Sequence, residues 1–170
     1  VAYSQIQRLA GAQAAAAYAA GNRHGLDWIR ARVRDRDIDC DWADQPGSTH
    51  VTEHSNRDLI TAEAQALTAA GLPAETVRPD WPFPAALAVR VDGQGQMDPV
   101  PFVRDLADDL VERGGTITTG VRARGVRDGR RGATLVTDAG ELRARWVLAA
   151  TGLPFLDRGA LFARTEPKAS

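Results

Sequence analysis

The stretch Trp146-Val147-Leu148-Ala149-Ala150-Thr151-Gly152 decides how the rest of the sequence is interpreted. It follows an alternating segment, residues 141–145, and carries no polar side chain before Thr151. A strand that alternates and then becomes wholly apolar is typical of one that passes from a half-exposed position into a layer covered on both faces. Ligands of open α/β sheets bind just beyond the carboxyl ends of such strands, so Thr151 and Gly152 are candidate ligand contacts. The alternative is a buried strand that simply ends in a turn.

The composition is that of a folded protein, and it argues against several kinds of partner. The chain has 170 residues, 44% of them apolar, a net charge of −1 and a sequence pI near 6.3. This charge predicts no nucleic-acid partner, and no apolar run approaches the roughly 20 residues of a membrane span. The single cysteine, Cys40, excludes an internal disulfide and fits a reducing compartment, so we expect a cytoplasmic protein.

The first half of the chain predicts helices joined by short strands. An alanine-rich stretch within residues 4–35 predicts a helix that Ser4 caps. Gly21 and Gly25 weaken its middle, so a kinked helix or two helices are alternatives. The other elements expected here are a strand at 38–42, a Pro-Gly turn at 44–48, a returning strand at 49–54, a helix from 55 or 56 to about 70, a proline-rich loop at 72–84 and a strand at 85–92.

The second half contains the clearest element boundary, at Asp98-Pro99. An aspartate followed by proline predicts a helix N-terminus, and Gly114-Gly115 predicts its end. Three carboxylates of this helix, at positions 105, 108 and 109, are expected on its solvent-exposed face. The other expected elements are strands at 116–121, 133–137 and 141–150, an extended segment at 122–126, and turns at 93–96, 128–132 and 138–140.

Cys40, His50 and His54 are the residues that suggest a metal site. The two histidines are four positions apart, which places them on one face of a helix or of a strand. The local pattern favours a strand, and no helix with a carboxylate frames them as in a zinc site. We therefore expect no metal site here.

Four segments within about residues 85–155 form a recognisable series. In chain order they are Gly95-Gln96-Met97-Asp98-Pro99, Gly114-Gly115-Thr116-Ile117, Arg122-Ala123-Arg124-Gly125-Val126 and Val147-Leu148-Ala149-Ala150-Thr151-Gly152. They resemble, in turn, the run into the central helix, the turn into the next strand, the segment whose backbone reaches the adenine of FAD, and the flavin-proximal strand of the D-amino-acid oxidase and glycine oxidase superfamily. This resemblance identifies the chain as a fragment of an FAD-dependent oxidoreductase.

Segments near both ends narrow the resemblance. They are Tyr3, residues 17–22, Pro154-Phe155 and residues 161–164, and they look like the bacterial subset that also carries a C-terminal Rieske domain. A Rieske 2Fe-2S cluster requires Cys and His ligands on its two irons. Because this chain has one cysteine, any such cluster would lie outside it.

The resemblance implies an α+β (mixed α/β) fold. It implies a substrate-side lobe at residues 1–92 and part of the FAD-binding lobe of a glutathione-reductase-like flavoprotein at residues 93–170, or one continuous body. Ala123 would offer backbone contacts to adenine, and Thr151 and Gly152 would lie against the cofactor, where a small residue permits close approach. The alternatives are that Ala123 is an ordinary strand residue and that Thr151 only ends a strand.

The sequence departs from the family at its phosphate loop. The N-terminal Rossmann loop of glycines is absent from these residues, and without its amides the pyrophosphate lacks its main binding site. Val1 is no initiator and residues 167–170 stop without closure, so we expect missing N- and C-terminal parts of the same protein. We expect this fragment alone to bind FAD weakly or not at all and to be inactive.

The implied function is oxidation of a small amine or amino acid by hydride transfer to flavin, with the cofactor carrying the chemistry. No catalytic residue is identified. Arg90 is a candidate partner for a substrate carboxylate, although a solvent-exposed strand arginine is the simpler interpretation. The alternative function is a free-standing, non-catalytic ligand- or partner-binding αβ module. The absent phosphate loop favours that alternative, and the resemblance argues against it.

Overall fold

The computed structural model describes residues 2–129 and 132–151. Residue contacts divide the chain into two compact units, Val1–Gly114 and Gly115–Ser170. Within the described residues, four α-helices and one three-stranded sheet belong to the first unit, and a second three-stranded sheet belongs to the other. The expected mixed α/β class is therefore confirmed. The functional division near residue 93 stays a prediction.

Two helices occupy the segment that was expected to form one helix, or two separated near Gly21 and Gly25. Helix α1 (Tyr3–Ala10) and helix α2 (Ala12–Asp35) are separated by Gly11, whose φ of 88° lies in the left-handed region. The break was expected at Gly21 or Gly25, but both remain helical. A single glycine inside a helix costs only about 1 kcal/mol, whereas a left-handed junction specifically favours glycine.

Helix α3 packs against the sheet of the first unit. This helix (Arg57–Ala69) follows a short 3-10 turn at His54–Asn56, and the sheet has the antiparallel order β1-β3-β2. Its strands are β1 (Ala43–Val51), β2 (Ala74–Val77) and β3 (Leu87–Gln96). Ile60 and Leu67 of α3 form the core with Val89 of β3. The expected loop at 72–84 therefore contains a strand, β2, that the prolines concealed.

Two expected turns are instead parts of strands. Pro46 lies within β1, and the segment 93–96 lies within β3. The pairing passes from Gln45↔Gln94 to Gly47↔Val91, so two residues of β3 face Pro46 in a β-bulge. One of them, Gly93, has φ 73°, which suits the left-handed position of such a bulge. Proline is tolerated there because the hydrogen-bond ladder is interrupted.

The prediction of a strand at 38–42 is also wrong, because these residues adopt no regular secondary structure. Their burial nevertheless follows the expected pattern: Cys40 is fully buried, and Ile38 and Trp42 are half-buried. A backbone hydrogen bond from Asp98 N to Cys40 O, 2.7 Å long, ties this segment to the start of the next helix.

Helix α4 (Pro99–Glu112) begins where the sequence predicts. The Asp98 carboxylate accepts a hydrogen bond from Val100 N at 2.9 Å, which satisfies an unpaired donor of the first turn. The prediction that the three carboxylates of this helix are exposed is wrong for Asp105 and Asp109. Asp105 accepts from Arg32 Nε of α2 at 2.7 Å, and Asp109 lies 3.5 Å from Arg32 Nη1. Only Asp108 of the three is exposed.

The second unit is an antiparallel meander of order β4-β5-β6. Its strands are β4 (Ala123–Gly129), β5 (Gly132–Thr137) and β6 (Gly140–Ala144), and the expected turn at 138–140 joins the last two. The strand expected at 116–121 is absent, and β6 ends at Ala144, well before residue 150. Trp146 is 77% exposed and Leu148 is 93% exposed, so the expected covered layer is not formed by the residues described. A strand needs a neighbouring strand that pairs with its backbone groups. Among the described residues, neither 116–121 nor 145–150 has such a partner.

Every helix in residues 2–129 and 132–151 is too short or too polar to serve as a membrane span.

Candidate functional site

Ala123 is the first residue of β4, and its backbone lies on an edge of the second sheet. It pairs with Thr137 of β5, and Gly125 pairs with the next residue, Val136, so Arg124 has no partner in the register. A bulged residue leaves its backbone groups outside the ladder. In the described sheet β4 also has no neighbour on its other side. This edge therefore leaves backbone groups available for a hydrogen-bonding ligand, and the adenine contact expected at Ala123 stays a prediction.

Asp138 holds the backbone next to Ala123 in place. Its side chain accepts a hydrogen bond from Arg122 N at 2.9 Å, and its own N–H donates to Arg122 O at 3.1 Å. The Asp138 carboxylate also lies 3.8 Å from Arg124 Nη2. Ala123 is thus fixed between an anchored residue and a bulge. Sequence analysis placed Asp138 in a turn and did not anticipate this second role, because the contact joins residues 16 positions apart.

Thr151 is placed differently from Ala123. Thr151 is exposed and lies outside regular secondary structure, and no hydrogen bond within the described chain links it to Ala123. Gly152 lies outside the described residues. The contacts expected of both residues with a cofactor therefore stay predictions.

A large cavity lies in the first unit, and sequence analysis did not anticipate it. Its volume is about 730 Å³, within the usual range for small-molecule sites. Helix α2 forms one wall, and the cavity also reaches Tyr3 of α1, Leu67 and Leu72 at the end of α3, and Val91 of β3. A signal was present in the sequence, since Tyr18, Asn22 and Gly25 recur at helical spacing, but nothing local showed what they face.

The polar side chains that line this cavity are those of Tyr3, Tyr18, Asn22, Arg23 and Gln94. The two tyrosine rings meet edge to face, with centroids 5.5 Å apart. Burial raises the pKa of Tyr3, and the nearby Tyr18 and Glu63 raise it further, while Arg23 partly opposes them. Arg23 Nη1 donates to Gly71 O at 3.3 Å. These groups are therefore close enough to act on one another electrostatically.

An aromatic cluster covers the other face of the first sheet. The rings of Trp81 and Phe83 lie 5.2 Å apart, and His50 meets Trp81 at 5.4 Å. On the same strand pairing, Arg90 is exposed and forms an ion pair with Asp92 at 2.8 Å. Arg90 therefore already has a carboxylate partner, as the simpler interpretation of this residue expects. Within the described residues, no group of three or more His, Cys, Asp or Glu side chains is arranged to hold a metal ion.

One curated relative matches almost the whole chain. The Bacillus subtilis (strain 168) protein YhfW, whose name describes it as a Rieske 2Fe-2S iron–sulfur protein, is 26% identical over 163 residues. The match covers 95% of this chain and 32% of YhfW. The chain therefore spans about a third of the length of this relative.

Solved structures of a glycine oxidase, a proline dehydrogenase and an amino acid deaminase share the fold. Glycine oxidase from Geobacillus kaustophilus matches with a TM-score of 0.58 at 18% identity, over 74% of this chain and 35% of its own. L-Proline dehydrogenase from P. horikoshii matches with a TM-score of 0.54 at 10% identity, over 68% of this chain and 34% of its own. L-Amino acid deaminase from Proteus myxofaciens matches with a TM-score of 0.55 at 16% identity, over 71% of this chain and 30% of its own.

The family comparison decides the assignment. The model of the family DAO, described as FAD dependent oxidoreductase, matches residues 2–167, which is nearly the entire chain. The order of helices and antiparallel strands described above agrees with this match, since all three structural neighbours are similar over most of this chain. The chain belongs to the DAO family of FAD-dependent oxidoreductases.

Proposed function

We propose that this chain is a section of an enzyme that oxidises a small amine or amino acid by hydride transfer to FAD. The observation that carries the proposal is the family match over residues 2–167. The names of the structural neighbours support the substrate class, since a glycine oxidase, a proline dehydrogenase and an amino acid deaminase all act on amino acids. FAD, when bound, accepts the hydride from the carbon that bears the amine.

In this proposal the residues of the chain bind and position rather than react. The free backbone edge at Ala123 holds the adenine, and Thr151 and Gly152 lie against the cofactor where a small side chain permits close approach. Residues 1–92 supply the substrate side, and residues 93–170 supply part of the FAD side. The bulge at Arg124 supports the first role, because it leaves backbone groups available beside Ala123.

We further propose that the intact protein is cytoplasmic and carries a Rieske 2Fe-2S cluster outside this chain. The name of YhfW supports the cluster, and its threefold greater length leaves room for a further domain. The single, buried Cys40 supports a reducing compartment.

The test uses the full-length protein and the absorbance of its flavin. We expect the purified protein to contain FAD, and anaerobic addition of a series of amino acids and small amines to bleach the flavin absorbance with at least one of them. Reduction by NADH alone, with no response to any amine, would replace the proposed substrate class with another. A full-length protein that lacks flavin and takes up none from solution would contradict the proposal as a whole, and would favour the non-catalytic module.

A further inference from the structure

We propose that the cavity beside α2 binds an organic carboxylate with an apolar body, and that Arg23 is the residue that pairs with the carboxylate. The site lies wholly within the first unit, so the proposal does not depend on the cofactor contacts assigned to the second. It also holds whether or not the bound carboxylate is the molecule that the enzyme oxidises.

Glycines of α2 leave the space that the ligand would fill. An added Cβ at Gly21 or at Gly25 would meet no atom within 4 Å, so both positions face open space. Both residues line the cavity although they lie inside a helix, where alanine is the more stabilising residue. The absent side chains thus keep the α2 wall recessed. The two glycines by themselves show only unfilled space. The polar and apolar side chains around them determine which ligand would fit.

Part of the cavity lining is apolar. It is formed by the side chains of Leu26, Ile29, Leu67, Leu72 and Val91. Leu67 is buried in the core, and Leu72 and Val91 are half-buried against it. An alkyl or aryl group in this part of the cavity would leave water for an apolar surface, at about 25 cal/mol for each Å² buried.

Arg23 is exposed and provides a positive charge that no acidic side chain among the described residues pairs with. Its one hydrogen bond among the described residues goes to a neutral carbonyl, Gly71 O, at the long distance of 3.3 Å. It has no ion pair there, whereas its helix neighbours Arg30 and Arg32 both pair with aspartates. Most of the five N–H donors of the Arg23 guanidinium are therefore available, and a carboxylate matches their forked geometry.

Two phenol side chains line the same cavity as Arg23. Neither the Tyr3 nor the Tyr18 hydroxyl has a hydrogen-bond partner in the part of the chain that the structure describes. Both residues line the cavity with Arg23, and both hydroxyls can donate to a carboxylate oxygen. One cation and two unused donors, together with an apolar lining, match a single negative charge on an apolar body. A phosphate monoester, with its higher charge, would leave charge uncompensated.

The test is isothermal titration calorimetry on the full-length protein. The two probes are 4-phenylbutanoate and the neutral 4-phenylbutanol, which have the same apolar body. We expect the carboxylate to bind more tightly than the alcohol. Arg23→Gln should weaken the carboxylate about tenfold or more, because a charge-assisted pair is lost, and should leave the alcohol nearly unchanged. Arg34→Gln removes an arginine that is likewise exposed on the same helix but is paired with Asp35 among the described residues, so it is the matched control and should change neither affinity.

A second variant tests the cavity itself. Gly25→Leu places a side chain in the open space and should abolish binding of both probes while the melting temperature stays the same or rises. Gly21→Leu should act in the same way. The proposal is overturned if the wild-type protein binds neither probe, if Arg23→Gln retains the preference for the carboxylate, or if both leucine variants bind normally. The flavin content of the same preparations reports separately on the proposed oxidase function.

Discussion

Glu63 caps helix α1 through Ser4, a residue that lies 59 positions earlier in the chain. Its Oε2 accepts a hydrogen bond from Ser4 N at 2.9 Å and another from the Ser4 hydroxyl at 2.6 Å, while Oε1 accepts from Tyr3 N at 2.7 Å. The side chain of the N-cap residue itself, Ala2, can accept no hydrogen bond. A buried carboxylate of α3 thus does the work that sequence analysis assigned to Ser4, and it joins the first turn of α1 to the middle of α3.

Removal of this carboxylate should destabilise the first unit. Glu63 is only 8% exposed, so Glu63→Ala leaves two backbone donors of α1 without partners in a poorly hydrated place. We expect the free energy of unfolding to fall by about 2–3 kcal/mol, measured by urea denaturation. Glu75→Ala removes an exposed glutamate from β2 and should change it by less than about 0.5 kcal/mol. Equal effects of the two substitutions would contradict the cap.

The contact between α2 and α4 should weaken in acid. Burial raises the pKa of Asp105, but hydrogen bonds from Arg36 and Arg32 outweigh it and hold the pKa below its usual value. A hydrogen bond from Arg113 likewise lowers the pKa of Asp109 against the opposing effect of burial. Because these folded-state values lie below the unfolded value of about 3.9, the stabilisation is complete well above that pH and is lost as the pH falls through the lowered values.

Asp105→Asn tests this pH dependence. We expect the variant to be less stable than the wild-type protein at pH 7, and the difference to shrink at about pH 3, which lies below the unfolded-state value of about 3.9. Urea unfolding at both pH values gives the comparison. Asp108→Asn, on the same helix and exposed, is the control and should show little difference at either pH. A difference for Asp105→Asn that does not change with pH would rule out the ionic explanation.

Gly95 should not tolerate a side chain, because Trp42 lies across it. A Cβ at this position would be 2.5 Å from both Cζ2 and Cη2 of the indole, which the Arg30 guanidinium also covers, 5.6 Å from the ring centroid. We expect Gly95→Ala to lower the free energy of unfolding by about 1–3 kcal/mol. In a Trp42→Leu background the same substitution should cost much less. If the two substitutions have additive effects, the packing of the indole on Gly95 is not the cause.

Gly152→Leu tests the proposed closeness of this residue to the cofactor. In the full-length protein we expect FAD to bind about tenfold or more weakly, since a clash of this size costs about 1–3 kcal/mol. The measurements are the flavin-to-protein ratio and a titration of the apoprotein with FAD. Arg143→Leu, which places an equally large side chain on the exposed strand β6, is the control. Undiminished flavin binding, together with an unchanged melting temperature, would remove Gly152 from the cofactor site.

Local signals predicted the elements whose causes are local. Asp98 and Pro99 marked the start of α4 correctly, because a cap and the first helical position are set by neighbouring residues. The turn at Asp138-Ala139 was predicted for the same reason. The four family-like segments were found by their order, and the family match confirms the assignment that they indicated.

Features that depend on distant residues were missed. Pro46 and Gly93 each resemble turn residues when considered alone, and only their pairing across two strands turns them into one bulge. The cavity brings Tyr3 and Arg23 together with residues of β3, and no local spacing encodes that contact. The apolar stretch from Trp146 indicated a covered strand, but within the described residues no element covers it.

The bulge opposite Pro46 also affects how copies of the protein behave towards one another. In the described sheet β1 is an edge strand, and an edge strand offers unpaired backbone groups on which a second chain can aggregate. Proline has no N–H to offer, and a bulge increases the local twist of the strand pair. A second strand therefore cannot continue the ladder smoothly along β1. The bulge that made this part of β1 resemble a turn in the sequence therefore also disfavours edge-to-edge pairing of two copies.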